Sequence, residues 1–167
     1  QLVAQAGATV VAVHRLAGPH IGFACAPVHT VNAQNASSED VAARIRELSG
    51  GRGADIVFNT VGSPYFEAAN RAMAKGAAQI FIATVERPVP FDIFTFYRGM
   101  HTYVGIDTLA LDATATAERF DALAEGMQAG TLQPFAVAPS GVYGLERVLD
   151  AYRRVLAGAD ERVVLHP

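Results

Sequence analysis

Apolar residues along this chain fall into two alternating patterns. Short runs rich in β-branched and apolar residues predict strands, and these runs cover 9–13, 28–32, 54–61, 78–83, 101–107 and 162–165. Between most of the runs, apolar residues recur at helical spacing. Strands that alternate with helices predict an α/β fold with a doubly wound parallel sheet, because right-handed crossovers place helices on both faces.

Capping residues mark where the helices begin and end. Ser37 or Ser38 can cap a helix that ends at Gly50, and Ser63-Pro64 starts another that ends before Gly76. Short helices are also expected at 1–6 and, as a helix or turn, at 91–97. Two later helices are predicted from the apolar positions Phe120, Leu123, Ala124 and Met127 and from Leu145, Val148, Leu149, Tyr152 and Leu156.

The run 54–61 differs from the others because its apolar centre is unbroken. Such a run predicts a strand that is covered on both faces, as in a parallel sheet. By contrast, the stretch from Gly18 to Pro27 is rich in glycine and proline and predicts mostly loop. Ligands of open parallel sheets bind beyond the carboxyl ends of the strands, which is where we look for a site.

Composition narrows the class of protein. With 167 residues, 51% of them hydrophobic, the chain can bury one core, so we expect a single domain over 1–167. No apolar run approaches the roughly 20 residues that span a bilayer, and no secretory leader is evident. The lone Cys25 suits a reducing compartment, and we expect a cytoplasmic protein. A net charge of −3 with scattered cations argues against nucleic acid and membrane partners.

Several motifs resemble those of the medium-chain dehydrogenase/reductase superfamily, which includes quinone oxidoreductases and zinc-type alcohol dehydrogenases. The most specific is the segment 47–58, a Ser-Gly-Gly-Arg-Gly turn that leads into Ala-Asp-Ile-Val-Phe and then to Val61-Gly62. The resemblance continues through 1–12, 68–83, 91–98, 104–107, 130–134, 145–152 and 162–165, nearly the whole chain.

This resemblance implies a Rossmann-like nucleotide-binding domain that lacks its first strand and its glycine-rich turn. In the family, the Gly-x-Gly-x-x-Gly turn brings backbone amides to a pyrophosphate, and it would lie just before Gln1. The family's N-terminal catalytic domain would also lie outside this chain. The resemblance therefore implies an NAD(P)-dependent oxidoreductase in which this chain binds the cofactor and does not turn over alone.

His14 and Arg15 follow the first strand, where the related enzymes contact the adenosine ribose. An acidic residue at this point binds the ribose hydroxyls, whereas a cation favours the 2′-phosphate of NADP. Because no Asp or Glu stands here, Arg15 favours NADP over NAD through a charge-assisted contact. The alternative is a solvated surface arginine.

The resemblance places three further groups of residues beside the nicotinamide end of the cofactor. They are Thr60, Val61 and Gly62; Ala83, Thr84 and Val85; and Ile106 and Asp107. Gly62 lacks a Cβ and permits a close backbone approach. Ordinary turn geometry and packing are the alternative explanation for all three groups.

Other chemistry has less support in the sequence. His20, Cys25 and His29 are zinc-ligand types, but their spacing is irregular and no fourth ligand is evident, so we expect no metal in this chain. Tyr97-Arg98 is a candidate for substrate contact or for packing. No Ser/His/Asp or Cys/His constellation supports hydrolysis.

The sequence favours an NADP-preferring oxidoreductase that reduces a quinone, an enone or a carbonyl. Two alternatives stay open, a zinc-dependent alcohol dehydrogenase of the same superfamily and a non-catalytic nucleotide-sensing or interaction module. The family commonly pairs the last sheet strand of each subunit, and the apolar strand 101–107 would be costly to leave as an open edge. We therefore predict a homodimer through this strand.

Overall fold

The computed structural model describes residues 1–15, 28–133, 137–159 and 162–167. The chain divides into two compact units, Gln1–Glu125 and Gly126–Pro167. The expectation of one domain over 1–167 stays a prediction.

The first unit alternates strands and helices. It contains α1 (Leu2–Gln5), β1 (Val10–His14), β2 (Val28–Asn32), α2 (Ser38–Leu48), β3 (Ala54–Asn59), a 3-10 turn (Ser63–Tyr65), α3 (Phe66–Ala72), β4 (Met73–Phe81), α4 (Ile93–Gly99), β5 (Thr102–Gly105) and most of α5 (Ala113–Gln128). Every strand pair is parallel: β1 with β2, β3 with β4, and β4 with β5. The predicted α/β, Rossmann-like class is confirmed.

Helices α2 and α3 cover the core of this unit. Ser37 caps α2 as expected, since its side chain accepts from the N–H of Asp40 while the Asp40 carboxylate accepts from the N–H of Ser37. The apolar faces of α2, α3 and β2 then meet. Their buried cluster is Val31, Val41, Ala42, Ile45, Ala68 and Ala72. This cluster fixes α3, which starts directly beyond the carboxyl end of β3.

The register of the three-stranded sheet aligns the carboxyl ends of its strands. Asn59 pairs with Phe81, and Phe81 pairs with Gly105. Each of these three residues is the last of its strand. The segments that follow them therefore leave the sheet at the same end and at the same level, as ligand-binding loops of parallel sheets do.

Several boundaries differ from those that the sequence predicts. The strand predicted at 78–83 ends at Phe81, and the strand predicted at 101–107 covers Thr102–Gly105. The helix expected to reach Gly76 ends at Ala72, where the chain becomes extended at Met73. The loop expected at 18–27 lies outside the described residues.

The expectation that β3 is covered on both faces is wrong for this chain. Ile56 is 68% exposed and Phe58 is 56% exposed. The two side chains lie two residues apart and so share one face of the strand. No element in the described part of the chain packs on that face. The unbroken apolar run therefore corresponds to a strand with one face left exposed.

The second unit is a small βαβ arrangement. Strand β6 (Val142–Gly144) pairs parallel with β7 (Val164–His166), and α6 (Val148–Leu156) lies between them in sequence. One 3-10 turn, Pro139–Gly141, precedes β6, and another, Leu145–Arg147, connects β6 to α6. The helical segments predicted from the later apolar positions are present, but their apolar stripes are largely exposed. In α6 only Ala151 is buried, and in α5 no residue is.

Candidate functional site

An open cleft of about 1000 Å³ lies in the first unit at the carboxyl ends of β3, β4 and β5. Five of the residues that the sequence predicts for the site line it together: Gly62, Ala83, Thr84, Ile106 and Asp107. The last residues of the three strands are level in the sheet. The segments that follow the strands therefore lie side by side, and each contributes one wall of the cleft. The remaining lining residues come from the 3-10 turn, the start of α3, the end of β4, the loop 86–91 and β5.

The turn after β3 is held by the side chain of Asn59, which is buried. Its Oδ1 accepts hydrogen bonds from the N–H of Gly62 at 2.8 Å and the N–H of Val61 at 3.2 Å. Its Nδ2 donates to the carbonyl of Gly62 at 3.0 Å. One amide thus satisfies three backbone groups, and it fixes the conformation of the turn at the cleft wall.

Gly62 lies against the segment that follows β4. Its φ of 86° belongs to the left-handed region, which glycine adopts without strain. A Cβ at this position would lie 2.3 Å from the carbonyl oxygen of Ala83 and 2.4 Å from the Cα of Thr84. Only glycine allows the two loops to approach this closely, so Gly62 sets the width of the cleft between β3 and β4.

Two hydroxyl groups then fix the backbone of Glu86. Ser63 Oγ accepts a hydrogen bond from the N–H of Glu86 at 2.9 Å, and Thr84 Oγ1 donates to its carbonyl at 2.8 Å. Because both polar backbone atoms are satisfied, the loop after β4 is tied to the start of α3. The next residues, Arg87 and Pro88, are thereby held at the cleft rim.

Aromatic rings line the bottom of the cleft. Tyr103 on β5 contacts four rings, with centroid distances of 5.9 Å to Phe66, 5.6 Å to Phe81, 5.7 Å to Phe91 and 5.2 Å to Phe96. Its hydroxyl donates to Asn70 Oδ1 of α3 at 2.7 Å. Partial burial raises the pKa of the Tyr103 hydroxyl, so the group stays neutral at physiological pH. The cleft floor is therefore apolar and uncharged.

The end of β5 closes the third side of the cleft. The N–H of Ile106 donates to the carbonyl of Phe81 at 2.9 Å, which extends the pairing of β4 and β5 by one step. Asp107 Oδ1 accepts from the N–H of Leu109 at 3.0 Å, so its carboxylate holds its own turn. Gly105, the last residue of β5, has no atom within 4 Å of an added Cβ and leaves open space in the cleft wall.

Five predicted site residues lie outside the cleft lining. Thr60 and Val61 belong to the turn that Asn59 holds, and Val85 lies next to Thr84 with its side chain exposed. His14 ends β1 and Arg15 follows it, so both stand at the carboxyl end of the other sheet of this unit. Their contact with a nucleotide stays a prediction.

Sequence reasoning missed Asn59 and the aromatic floor. Asn59 stands at the last position of a strand and three residues before a glycine, a spacing at which asparagine commonly caps a turn, so a local signal was present. For Phe66, Phe81 and Tyr103 there was no such signal. These rings come from three elements, and only the packing of α3 on the sheet brings them together.

Metal-ligand clusters are absent from the part of the chain that the structure describes, in which no three His, Cys, Asp or Glu side chains are grouped to hold an ion. Of the three zinc-type residues weighed above, only His29 is described, and it lies in β2. Within the same residues, no helix is long and apolar enough to cross a membrane.

A parallel α/β unit with a cleft at the carboxyl ends of its strands is the arrangement of a Rossmann-like nucleotide-binding domain. Residues 1–125 match the model of one family of such proteins, described as zinc-binding dehydrogenase. This match covers more than half of the chain, and the chain belongs to that family. A comparison with curated protein sequences gave no match.

Solved structures with the same fold include a mycobacterial protein in complex with NADPH, with 22% identity and a TM-score of 0.66 over 83% of this chain. An NAD-dependent alcohol dehydrogenase has 24% identity and a TM-score of 0.75 over 99% of the chain. A mycobacterial quinone oxidoreductase has 20% identity and a TM-score of 0.75 over 99% of it. This chain corresponds to 43%, 46% and 51% of those chains, so it spans about half the length of each.

Proposed function

We propose that this chain is the cofactor-binding part of an NADP-preferring oxidoreductase that reduces a quinone, an enone or a carbonyl. The observation that carries the proposal is the cleft at the carboxyl ends of β3, β4 and β5, with its apolar aromatic floor. Membership in the dehydrogenase family and the fold shared with an NADPH complex support it. Turnover then requires the substrate domain that such enzymes carry beside the nucleotide-binding domain, and we expect a cytoplasmic protein.

The residues of the cleft fit a nicotinamide ring. The dihydronicotinamide ring of NADPH is flat and uncharged, and the floor formed by Phe66, Phe81 and Tyr103 offers it an uncharged surface. Thr84 and Ile106 line the cleft, and their backbone atoms are candidates to bind the carboxamide group, apart from the N–H of Ile106, which is bonded to Phe81. When bound, NADPH supplies the hydride, while Gly62, Ala83, Thr84, Ile106 and Asp107 position it and limit access of water.

Preference for NADP rests on Arg15. The residue is exposed, it follows the last residue of β1, and it stands at the strand end where the adenosine ribose binds in Rossmann-like domains. A guanidinium group binds a phosphate through charge-assisted, bidentate hydrogen bonds. We therefore assign the 2′-phosphate of NADP to Arg15, with His14 beside the ribose and Thr60, Val61 and Val85 close to the nicotinamide end.

A zinc-dependent alcohol dehydrogenase is the second candidate. The fold shared over 99% of the chain with an NAD-dependent alcohol dehydrogenase favours it. Preference for NADH over NADPH, together with activity that a chelator removes, would favour this candidate. Binding of neither nucleotide by a form of the protein that includes the glycine-rich turn would favour a non-catalytic interaction module.

A titration of the chain with NADPH and with NADH, followed by the fluorescence of the dinucleotide, tests the proposal. We expect NADPH to bind more tightly than NADH by about tenfold to a hundredfold, the range of one or two charge-assisted hydrogen bonds. Arg15→Ala should remove most of this preference. Arg52→Ala is the matched control, because Arg52 pairs with Asp55 of β3 at the amino end of that strand, away from the carboxyl ends where the nucleotide is proposed to bind. Equal affinity for both nucleotides in the unaltered chain would contradict NADP preference.

We also propose a homodimer through β5. Among the described strands, β5 pairs only with β4, so its second edge is open. Val104 is 38% exposed and Ile106 is 45% exposed along this strand and its extension. An exposed, apolar edge strand is a ready partner for a second copy of itself.

A further inference from the structure

A second cavity of about 1040 Å³ lies on the helical side of the first unit. It runs along α3 and α4, and Phe66, Phe91 and Tyr103 line both this groove and the cofactor cleft. These three rings therefore form the wall between the two cavities. We refer to the second cavity as the α3–α4 groove.

One end of the α3–α4 groove lies at the amino ends of β4 and β5. His101 directly precedes β5, Arg98 lies in the last turn of α4, and Lys75 lies near the start of β4. Ala78 pairs with Thr102, the first residue of β5. His101 and Lys75 precede these two residues, so they lie toward the amino ends of the strands, away from the cofactor cleft. The cations thus stand at the opposite end of the strands from the dinucleotide site.

The acidic side chains of the groove are already engaged. Glu67 accepts two hydrogen bonds from Arg71, at 2.9 and 2.8 Å. Asp92 caps α4, because its carboxylate accepts from the N–H groups of Phe94 and Thr95 and from the Thr95 hydroxyl. Neither carboxylate neutralises the amino-end cations.

Lys75 and Arg98 carry positive charge that no carboxylate of the groove neutralises. Within the described residues neither side chain takes part in a salt bridge or a side-chain hydrogen bond, whereas Arg46 and Arg71 are bonded to α3 and to nearby carboxylates. The ring of His101 lines the groove with them, and its buried Nδ1 has no hydrogen-bond partner in the described chain. Lys75 and Arg98 therefore offer donors and charge at this end of the groove without an internal acceptor among the described residues.

Apolar side chains line much of the rest of the groove, next to the engaged polar groups of Arg46, Glu67, Arg71 and Asp92. Phe66, Met73, Phe94 and Phe96 line it together with Pro64 and Pro90. A groove with apolar rings along part of its lining and, at one end, two cations that are unpaired within the described chain matches a ligand that has an apolar body and an anionic head. The sequence suggested Tyr97-Arg98 as a pair that contacts substrate or packs. In the structure Arg98 lines the groove and Tyr97 does not.

We infer that the α3–α4 groove is a second ligand site, distinct from the cofactor cleft, for an amphipathic anion. Its phosphate or carboxylate head contacts Lys75 and Arg98, and its chain or ring lies along Phe94 and Phe96. Binding at this site does not require bound dinucleotide. A test of the anion site is therefore independent of a test of the proposed oxidoreductase function.

Calorimetric titration of the 167-residue chain tests this site with four probes. Octyl phosphate and octanoate carry a chain and an anionic head, inorganic phosphate carries the head alone, and 1-octanol carries the chain alone. We expect at least one of the two amphipathic anions to bind at least about tenfold more tightly than phosphate or octanol. Comparison of octyl phosphate with octanoate identifies the preferred head group. Failure of both to bind would overturn the inference.

Charge-neutral variants locate the site. Lys75→Gln combined with Arg98→Gln should weaken binding of the preferred anion at least about tenfold and leave the affinity for NADPH unchanged. Arg44→Gln combined with Arg52→Gln removes the same charge from salt-bridged surface positions and should leave anion binding unchanged. Equal losses in both double variants would show non-specific attraction and overturn the site. Displacement of the anion by saturating NADPH would also overturn it, because the ligand would then occupy the cofactor cleft.

Discussion

The side chain of Asn59 bonds both polar backbone atoms of Gly62, at 2.8 Å to its N–H and 3.0 Å to its carbonyl. This contact fixes the turn beyond β3 in a conformation that places Gly62 against Thr84. The shape of the cleft therefore depends on one amide that a nucleotide need not touch.

Asn59→Ala should destabilise the first unit by about 1–3 kcal/mol, since buried backbone groups of the turn lose their partners. The midpoint of urea unfolding measures this loss, and NADPH affinity should fall as the turn loosens. Asn32→Ala is the control, because Asn32 also bonds a backbone N–H, that of Gln34, but at an exposed site, where we expect less than about 1 kcal/mol. Equal effects of the two substitutions would contradict the role assigned to Asn59.

Gly62→Ala should cost about 2–4 kcal/mol, which combines left-handed strain with the overlap against Ala83 and Thr84. Gly7→Ala separates the two causes. Gly7 has a similar φ of 84° but no atom within 4 Å of an added Cβ, so only the conformational cost of about 1 kcal/mol applies. Chemical unfolding of both variants gives the comparison. Similar losses at the two glycines would show that the close approach to Thr84 is not important for stability.

Tyr103 should make stability sensitive to alkaline pH. Below about pH 10 its hydroxyl is protonated in both the folded and the unfolded chain. Because burial raises the pKa in the folded chain, the unfolded chain loses this proton first as the pH rises, and the free energy of unfolding then falls.

Unfolding of the unaltered chain and of Tyr103→Phe at pH 8 and above pH 10 measures this effect. The variant keeps the ring contacts but has no proton to lose, so its stability should fall less over the same interval. At pH 8 it should be less stable by about 0.5–1.5 kcal/mol, because it lacks the hydrogen bond to Asn70. Identical alkaline profiles would refute the assignment.

Val104→Lys should dissociate the proposed homodimer, since a lysine on an edge strand opposes pairing with a second copy. Solution scattering at several protein concentrations gives the mass of the particle. Leu2→Lys is the control, as Leu2 is exposed on α1 and lies outside the proposed interface. A monomer at all concentrations in the unaltered chain would contradict the dimer itself.

Local patterns determined much of the fold. The β-branched runs gave six of the seven described strands in the right order, with 28–32 matching β2 at both ends, whereas the short β6 was not predicted. Ser37 and its capping box fixed the start of α2, because a helix N-terminus is satisfied by residues within one turn of it. The turn and the glycine at 61–62 could likewise be recognised, since a left-handed φ is a local demand on one residue.

Tertiary structure alone decided the rest. Whether an apolar strand is covered depends on which elements pack against it, and the periodicity of 54–61 could not show that Ile56 and Phe58 are exposed. The aromatic wall formed by Phe66, Phe91 and Tyr103, which separates the cofactor cleft from the α3–α4 groove, brings together residues from three segments. Spacing along a chain records the faces of single elements, whereas a cavity is a property of several elements after they have packed.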